Sequence, residues 1–244
     1  MRLLIFSDIH GNLPAFEALL AEARRLSPDA YLCLGDVAAM GAWPRECLDL
    51  LRSLNCPVVM GNADEDLIEP RAFAPQGFPD EREIHDLDTW AREQLTEQDL
   101  AFVRTFQPTV ELDLGGVELL AFHGSPASCR EVIGAETPET RLAELRAIHG
   151  DAPLWVGGHT HLSLLRRLPG WTLLNPGTVG LAFEQREDQY VNVARAEFLV
   201  LDVNGGKVQF NFRFLPYDVE AVRVGIRSRG MPHAEWWAKE WQAD

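Results

Sequence analysis

The chain has 244 residues, with 22 Lys and Arg against 37 Asp and Glu, for a formal charge of −15. This length fits one large domain or two small ones, and 46% hydrophobic with 24% charged residues excludes a disordered chain. The acidic balance argues against nucleic-acid polymers and membranes as partners, since both select basic faces. Residues 62–113 hold 14 acidic and 4 basic residues, a local −10. No stretch approaches the ~20 apolar residues of a membrane span. The run Met1–Phe6 is too short for a signal-peptide core, so the expectation is a cytoplasmic protein. Cys33, Cys47, Cys56 and Cys129 lack the paired spacing of a zinc knuckle or a disulfide framework.

Leu3–Phe6 is a short apolar run of the kind a buried parallel strand shows. Asn12 then caps a predicted helix with Pro14 in its first turn and Leu13, Phe16, Leu20 and Ala23 on one face. Tyr31–Leu34 is a second strand, Pro44 opens a helix carrying Cys47, Leu48, Leu51 and Leu54, and Val58–Met60 is a third strand. Strand and helix alternating over short connections predict a parallel sheet. Residues 63–107 read as an acidic insertion made of a loop and two helices. Strands follow at 110–114, 117–122, 154–156, 162–168, 171–175, 196–203 and 207–214, with a helix near 137–148 and a hairpin at Asn204-Gly205-Gly206. The tail from about 217 reads as helical and carries Trp236, Trp237 and Trp241, whose spacing suits packing against the body or a second copy. The whole is read as a single domain over 1–244.

The chemistry sits directly after the apolar runs. Asp8-Ile9-His10 follows the first, Gly35-Asp36 the second and Gly61-Asn62 the third. His123 follows Leu119–Phe122, and Gly158-His159-Thr160-His161 follows Leu154–Gly157. Standing alone, Asp36 would be a turn or cap residue and His123 a core histidine. Together, seven polar side chains arrive at the carboxyl ends of strands, where open α/β sheets bind ligands. Mixed imidazole, carboxylate and amide donors suit borderline divalent ions such as Mn, Fe, Zn, Co or Ni. Seven donors exceed what one tetrahedral ion takes but suit two ions sharing a carboxylate, which can clamp both oxygens of a displacement at phosphorus.

In this order and spacing, Asp8-x-His10, Gly35-Asp36, Gly61-Asn62, His123 and Gly158-His159-x-His161 resemble the calcineurin-like metallophosphoesterases. Asn175-Pro176-Gly177 resembles the loop after the last histidine motif in small prokaryotic members, and the resemblance covers roughly residues 1–180. It implies an α/β fold, a four-layer α/β/β/α sandwich of two mixed sheets flanked by helices. It also implies a first metal on Asp8, His10 and His161, a second on Asn62, His123 and His159, and Asp36 bridging them. A metal-bridging hydroxide would attack phosphorus, with Asn62 also orienting the phosphate. Two divalent ions against two carboxylates leave the centre at about +2, able to attract a phosphate ester.

One departure stands out. Many relatives carry a His directly after this Asn, credited with assisting the leaving group and supported by an acidic residue. Here the segment is Gly61-Asn62-Ala63-Asp64, so that His is absent and Asp64 lacks its usual partner. Losing a general acid costs ~10²–10⁴ in rate for a poor leaving group and less for a good one. A small phosphodiester or nucleotide is therefore the expected substrate, with His85 and His149 as candidate substitute acids and Arg130 as a candidate phosphate ligand. The alternatives are a phosphoprotein or phosphomonoester phosphatase, and a non-catalytic metal-binding scaffold, which would show eroded ligands where all seven are intact. A homo-oligomer is compatible with the sequence.

Overall fold

The computed structural model describes residues 1–75, 77, 79–186 and 189–244. In chain order it begins β1 (Arg2–Phe6), α1 (Leu13–Leu26), β2 (Ala30–Cys33), α2 (Pro44–Leu54), α3 (Asn62–Ile68), α4 (Glu81–Glu93) and α5 (Glu97–Val103). Next come β3 (Thr109–Asp113), β4 (Glu118–Phe122), α6 (Glu139–His149), β5 (Leu154–Val156), β6 (Leu164–Leu168) and β7 (Trp171–Asn175). The chain closes with β8 (Ala182–Arg186), β9 (Gln189–Val193), β10 (Arg195–Asn204), β11 (Lys207–Pro216), α7 (Val219–Ser228), α8 (Ala234–Lys239) and β12 (Trp241–Gln242).

Two mixed sheets face each other. One has the order β11-β10-β1-β2 and the other β3-β4-β5-β7-β6. Alternation along each strand explains the layering, because successive side chains point to opposite faces. In β1, Leu3 and Ile5 enter the core between the sheets with Leu119, Ala121, Leu154 and Val156. Leu4 and Phe6 turn the other way, onto Phe16 and Leu19 of α1 and Leu48 and Leu51 of α2. On the far side, Leu120, Phe122 and Trp155 pack beneath Leu142 and Leu145 of α6. Both faces of the central strands are thus buried, and the result is the α/β/β/α order that the resemblance implies. Phe122 and Trp155 meet edge to face at 5.6 Å, worth ~0.5–1.5 kcal/mol beyond area burial.

Asn12 caps α1 as expected, its side chain accepting from the Ala15 amide. The third apolar run departs from the expectation. Instead of a strand, Val58 and Val59 make only single parallel bridges, to Cys33 and Gln107, before the chain turns into α3 at Asn62. Among its described residues the acidic segment accordingly holds three helices and not two. A small sheet, β12-β9-β8, was not foreseen, and the tail ends in a short strand rather than a helix. Trp237 and Trp241 are buried with Leu181, Val222, Ile226 and Leu87, so the tryptophan cluster packs on the body.

No helix among the described residues is long and apolar enough to cross a membrane.

Candidate metal centre

Five candidate ligands occupy left-handed backbone: Asp8 (φ 57°), His10 (47°), Asp36 (54°), His159 (67°) and His161 (59°). Such conformations cost non-glycine residues of order 1–3 kcal/mol each and persist only when their surroundings enforce them. The enforcement is visible. The Asp8 amide donates to Gly35 O and the His10 amide to Asp36 O, both at 2.9 Å, tying the first two loops together. Gly158 N–H donates to His123 O at 2.7 Å, and the His159 amide reaches Asp8 Oδ2 at 3.1 Å. Asn175, at the end of β7, donates from its side chain to Gly158 O at 2.6 Å. Thr178 Oγ1 donates to Asp8 O at 2.8 Å.

These loops bring six side chains into two groups that could each hold a metal ion. Asp8, His10 and His161 form one, and Asp36, His123 and His159 the other, with donor atoms in each within 4.8 Å of one another. Asn62 joins the second group, its Oδ1 3.1 Å from His123 Nε2. Asp36 Oδ2 lies between the groups, 3.3 Å from His123 Nε2 and 3.8 Å from His10 Nε2. Asp8 and Asp36 are essentially inaccessible to solvent, as is His123. Backbone carbonyls fix two of the rings: His123 Nδ1 donates to Leu34 O and His161 Nδ1 to Leu181 O, each at 2.8 Å. In the neutral ring this leaves the Nε2 lone pair facing inward, free for a cation, as in metal-binding histidines.

The donor set fits cations. Asp8 Oδ1 is buried without a hydrogen-bond partner, while His161, His10 and His123 present Nε2 to it at 3.3, 3.7 and 3.9 Å. His10 Nε2 and His161 Nε2 face each other at 3.1 Å. Two buried carboxylates demand positive charge beside them. Burial acts to raise the Asp36 carboxyl, but His123 and His10 bring it down to about 2. Against burial, which works to lower it, Asp36 and Asp8 raise His123 to about 10. Burial likewise opposes ionisation of Asp8, yet His161, His10 and His123 hold it well below the usual range.

Asp64 is fully buried and acts as a backbone clamp. Its Oδ2 accepts from the amides of Asp36 at 2.7 Å and Gly61 at 3.2 Å, and its Oδ1 from Val37 at 2.9 Å. Sequence reasoning treated this residue as the leftover support of a missing His, whereas it positions the two loops that carry Asp36 and Asn62. Asp36 Oδ1 in turn accepts from the Ala63 amide at 2.8 Å. The fit is too close for a side chain at position 61, where an added Cβ would stand 2.0 Å from Asp36 Oδ1 and 2.4 Å from its amide. Gly61→Ala is therefore expected to lower metal content to one ion per chain or less while far-UV circular dichroism stays native.

Arg130, expected at a substrate phosphate, is engaged elsewhere. Its guanidinium holds Asp66 through two bonds at 2.7 and 3.1 Å, Glu65 at 2.9 Å and the Asn62 carbonyl at 3.2 Å. It pins α3, and binding a phosphate would mean giving up part of that network. Among the described residues, no contact brings the spare histidines to the centre. His85 lies against the Phe73 ring at 5.4 Å. His149 lines a cavity with Glu118 and Leu119, at the opposite end of β4 from His123.

Asp88 on α4 was missed by sequence reasoning. Its Oδ1 is buried and unpartnered, and burial, then the charges of Asp36 and Asp66, push it up to about 8. Cations in the two groups would oppose the Asp36 part of that push. One turn earlier on α4 lies the apolar Ile84, and Leu87 is immediately before it, which was the available signal that this carboxylate faces inward.

A family model described as the calcineurin-like phosphoesterase superfamily domain matches residues 1–197. The chain belongs to that superfamily. The crystal structure of a metallophosphoesterase from Sphaerobacter thermophilus superposes with a TM-score of 0.73 at 28% identity, covering 98% of each chain. A hypothetical protein, PH1004 from Pyrococcus horikoshii, shares the fold with a TM-score of 0.80 at 20% identity, over 98% of this chain and 96% of that one. The uncharacterized protein MJ0912 of Methanocaldococcus jannaschii is 27% identical over 242 residues, 95% of this chain and 93% of the relative.

Proposed function

We propose that the protein is a dinuclear metal-dependent hydrolase of phosphoric esters, acting on a small phosphodiester or nucleotide. The observation that carries this reading is the pair of ligand groups meeting at one strand edge with Asp36 Oδ2 between them. In this reading Asp8, His10 and His161 would hold the first ion, His123, His159 and Asn62 the second, and Asp36 would serve both. When bound, two divalent ions supply Lewis-acid polarisation of phosphoryl oxygens and lower the pKa of a water nucleophile. The chain's own part is to hold that geometry rigid. Leu34 O and Leu181 O orient two imidazoles, Asp64 fixes the loop before and after Asp36, and Asn62 keeps its amide nitrogen to donate to a phosphate oxygen.

Ala63 offers no proton to the leaving group, and its amide is already bonded to Asp36. This supports a substrate whose leaving oxygen departs without general-acid help. The acidic helices starting at Asn62 support a small ester over a nucleic-acid polymer, whose phosphates they would repel.

The test is a panel of Mn, Fe, Zn, Co and Ni against a phosphodiester, a nucleotide and a phosphopeptide. Activity on the first two that disappears with chelator and returns with metal is expected. Preference for the phosphopeptide would favour a protein phosphatase instead.

A further inference from the structure

The β8–β9 hairpin has one buried and one open face. Ala182, Val191 and Val193 form its buried side. Register places Phe183 opposite Asn192 and Tyr190 opposite Gln185, so both aromatic residues lie on the other side. Tyr190 is 64% exposed and meets Phe183 edge to face at 5.7 Å. Phe183 in turn lies 6.3 Å from the ring of His161, in the first ligand group. Leu181, whose carbonyl orients His161 at 2.8 Å, is two residues before Phe183, so ligand and hairpin are held in fixed relation. Beside them Leu162, next to His161 in the chain, is 56% exposed. A row of rings thus runs outward from the centre, His161 to Phe183 to Tyr190, and ends open to solvent.

We propose that Phe183 and Tyr190 form a subsite for a flat aromatic leaving group on the phosphate ester, an aryl ring bonded directly to the leaving oxygen. The inference rests on the phosphoesterase reading and narrows its substrate class. An exposed aromatic pair bordering a charged centre suits a ligand that is anionic at one end and aromatic at the other. Two independent features converge on it. The rings begin at a candidate ligand of the reacting centre, and alanine at 63 favours a leaving oxygen that is stable as an anion, as an aryl oxide is. In hydrolysis the P–O bond to the leaving group breaks, its electron pair goes to the leaving oxygen, water adds hydroxyl to phosphorus and the water's other proton passes to solvent.

The experiment compares an aryl phosphodiester with a fluoroalkyl phosphodiester of equal leaving-group pKa, on metal-loaded wild type, Tyr190→Ala, Tyr190→Phe and Phe214→Ala, which removes an exposed aromatic ring outside the pair. Wild type is expected to favour the aryl ester in kcat/KM, and Tyr190→Ala to reduce that preference about 10-fold, the scale of one lost stacking contact. Tyr190→Phe and Phe214→Ala should retain it. Calorimetric binding of phenylphosphonate against methylphosphonate should show the same ratio without turnover. Wild type hydrolysing both esters without preference, or Tyr190→Ala lowering both equally, overturns the subsite and leaves the phosphoesterase reading standing. Wild type inactive on both esters with every metal overturns both.

Discussion

Asp36→Asn is expected to lower kcat by ~10³ or more on any phosphate ester the wild type accepts, with little change in fold. The substitution is discriminating because the two carboxylate oxygens do different work. Oδ1 accepts from the Ala63 amide at 2.8 Å, and an asparagine oxygen can keep that bond. Oδ2 faces His123 and His10 from between the two ligand groups. There an amide nitrogen presents hydrogens toward cations and removes one of the two carboxylate charges of the ligand groups. Steady-state kinetics at saturating metal, beside a thermal melt within a few degrees of wild type, would check both halves of the expectation. Full activity in the variant would remove Asp36 from the machinery.

Asp64→Ala should act on stability and on the site together. It strips the acceptor from the amides of Asp36, Val37 and Gly61 in a fully buried position. An unsatisfied buried donor costs ~1–3 kcal/mol, and relaxation or water entry recovers part of three such losses, so about 3–5 kcal/mol is expected. At ~2–4 °C per kcal/mol for a chain of this size, the melting temperature falls by about 6–20 °C. Metal affinity should fall by ~10–100-fold in the same variant, as when an outer-shell partner of a ligand is removed. Calorimetry with and without added metal reads both effects. Asp64→Asn, which keeps one acceptor oxygen, should lose less.

The positions of the candidate ligands were legible because the strands that deliver them are buried on both faces. Such strands appear as unbroken apolar runs, and Asp8, Asp36, His123 and His159 stand one to three residues beyond Phe6, Cys33, Phe122 and Val156. The pairing of β1 with β10, antiparallel and with Leu3 opposite Leu201, was not legible, because nothing local in either strand encodes so distant a partner. Seven-residue α3 is too short to show helical periodicity. The β8–β9 hairpin did carry a signal, the alternation of Tyr190-Val191-Asn192-Val193, but it lies beside the charged run that includes Glu184 and Arg186. Asp64 was hidden for another reason: on seven-residue α3 no periodicity sets it apart from the other acidic residues of 62–113.

That uneven charge also has a structural meaning. Arg130 pairs with both Asp66 and Glu65, and Arg45 and Arg52 pair with Asp99, so part of the acidic excess is structural.

The most direct test is the metal stoichiometry of the purified chain after supplementation with each divalent ion and removal of the excess, measured by inductively coupled plasma mass spectrometry. Two ligand groups sharing Asp36 predict close to two ions per chain for at least one metal. Less than one ion per chain with every metal tried would contradict the dinuclear centre.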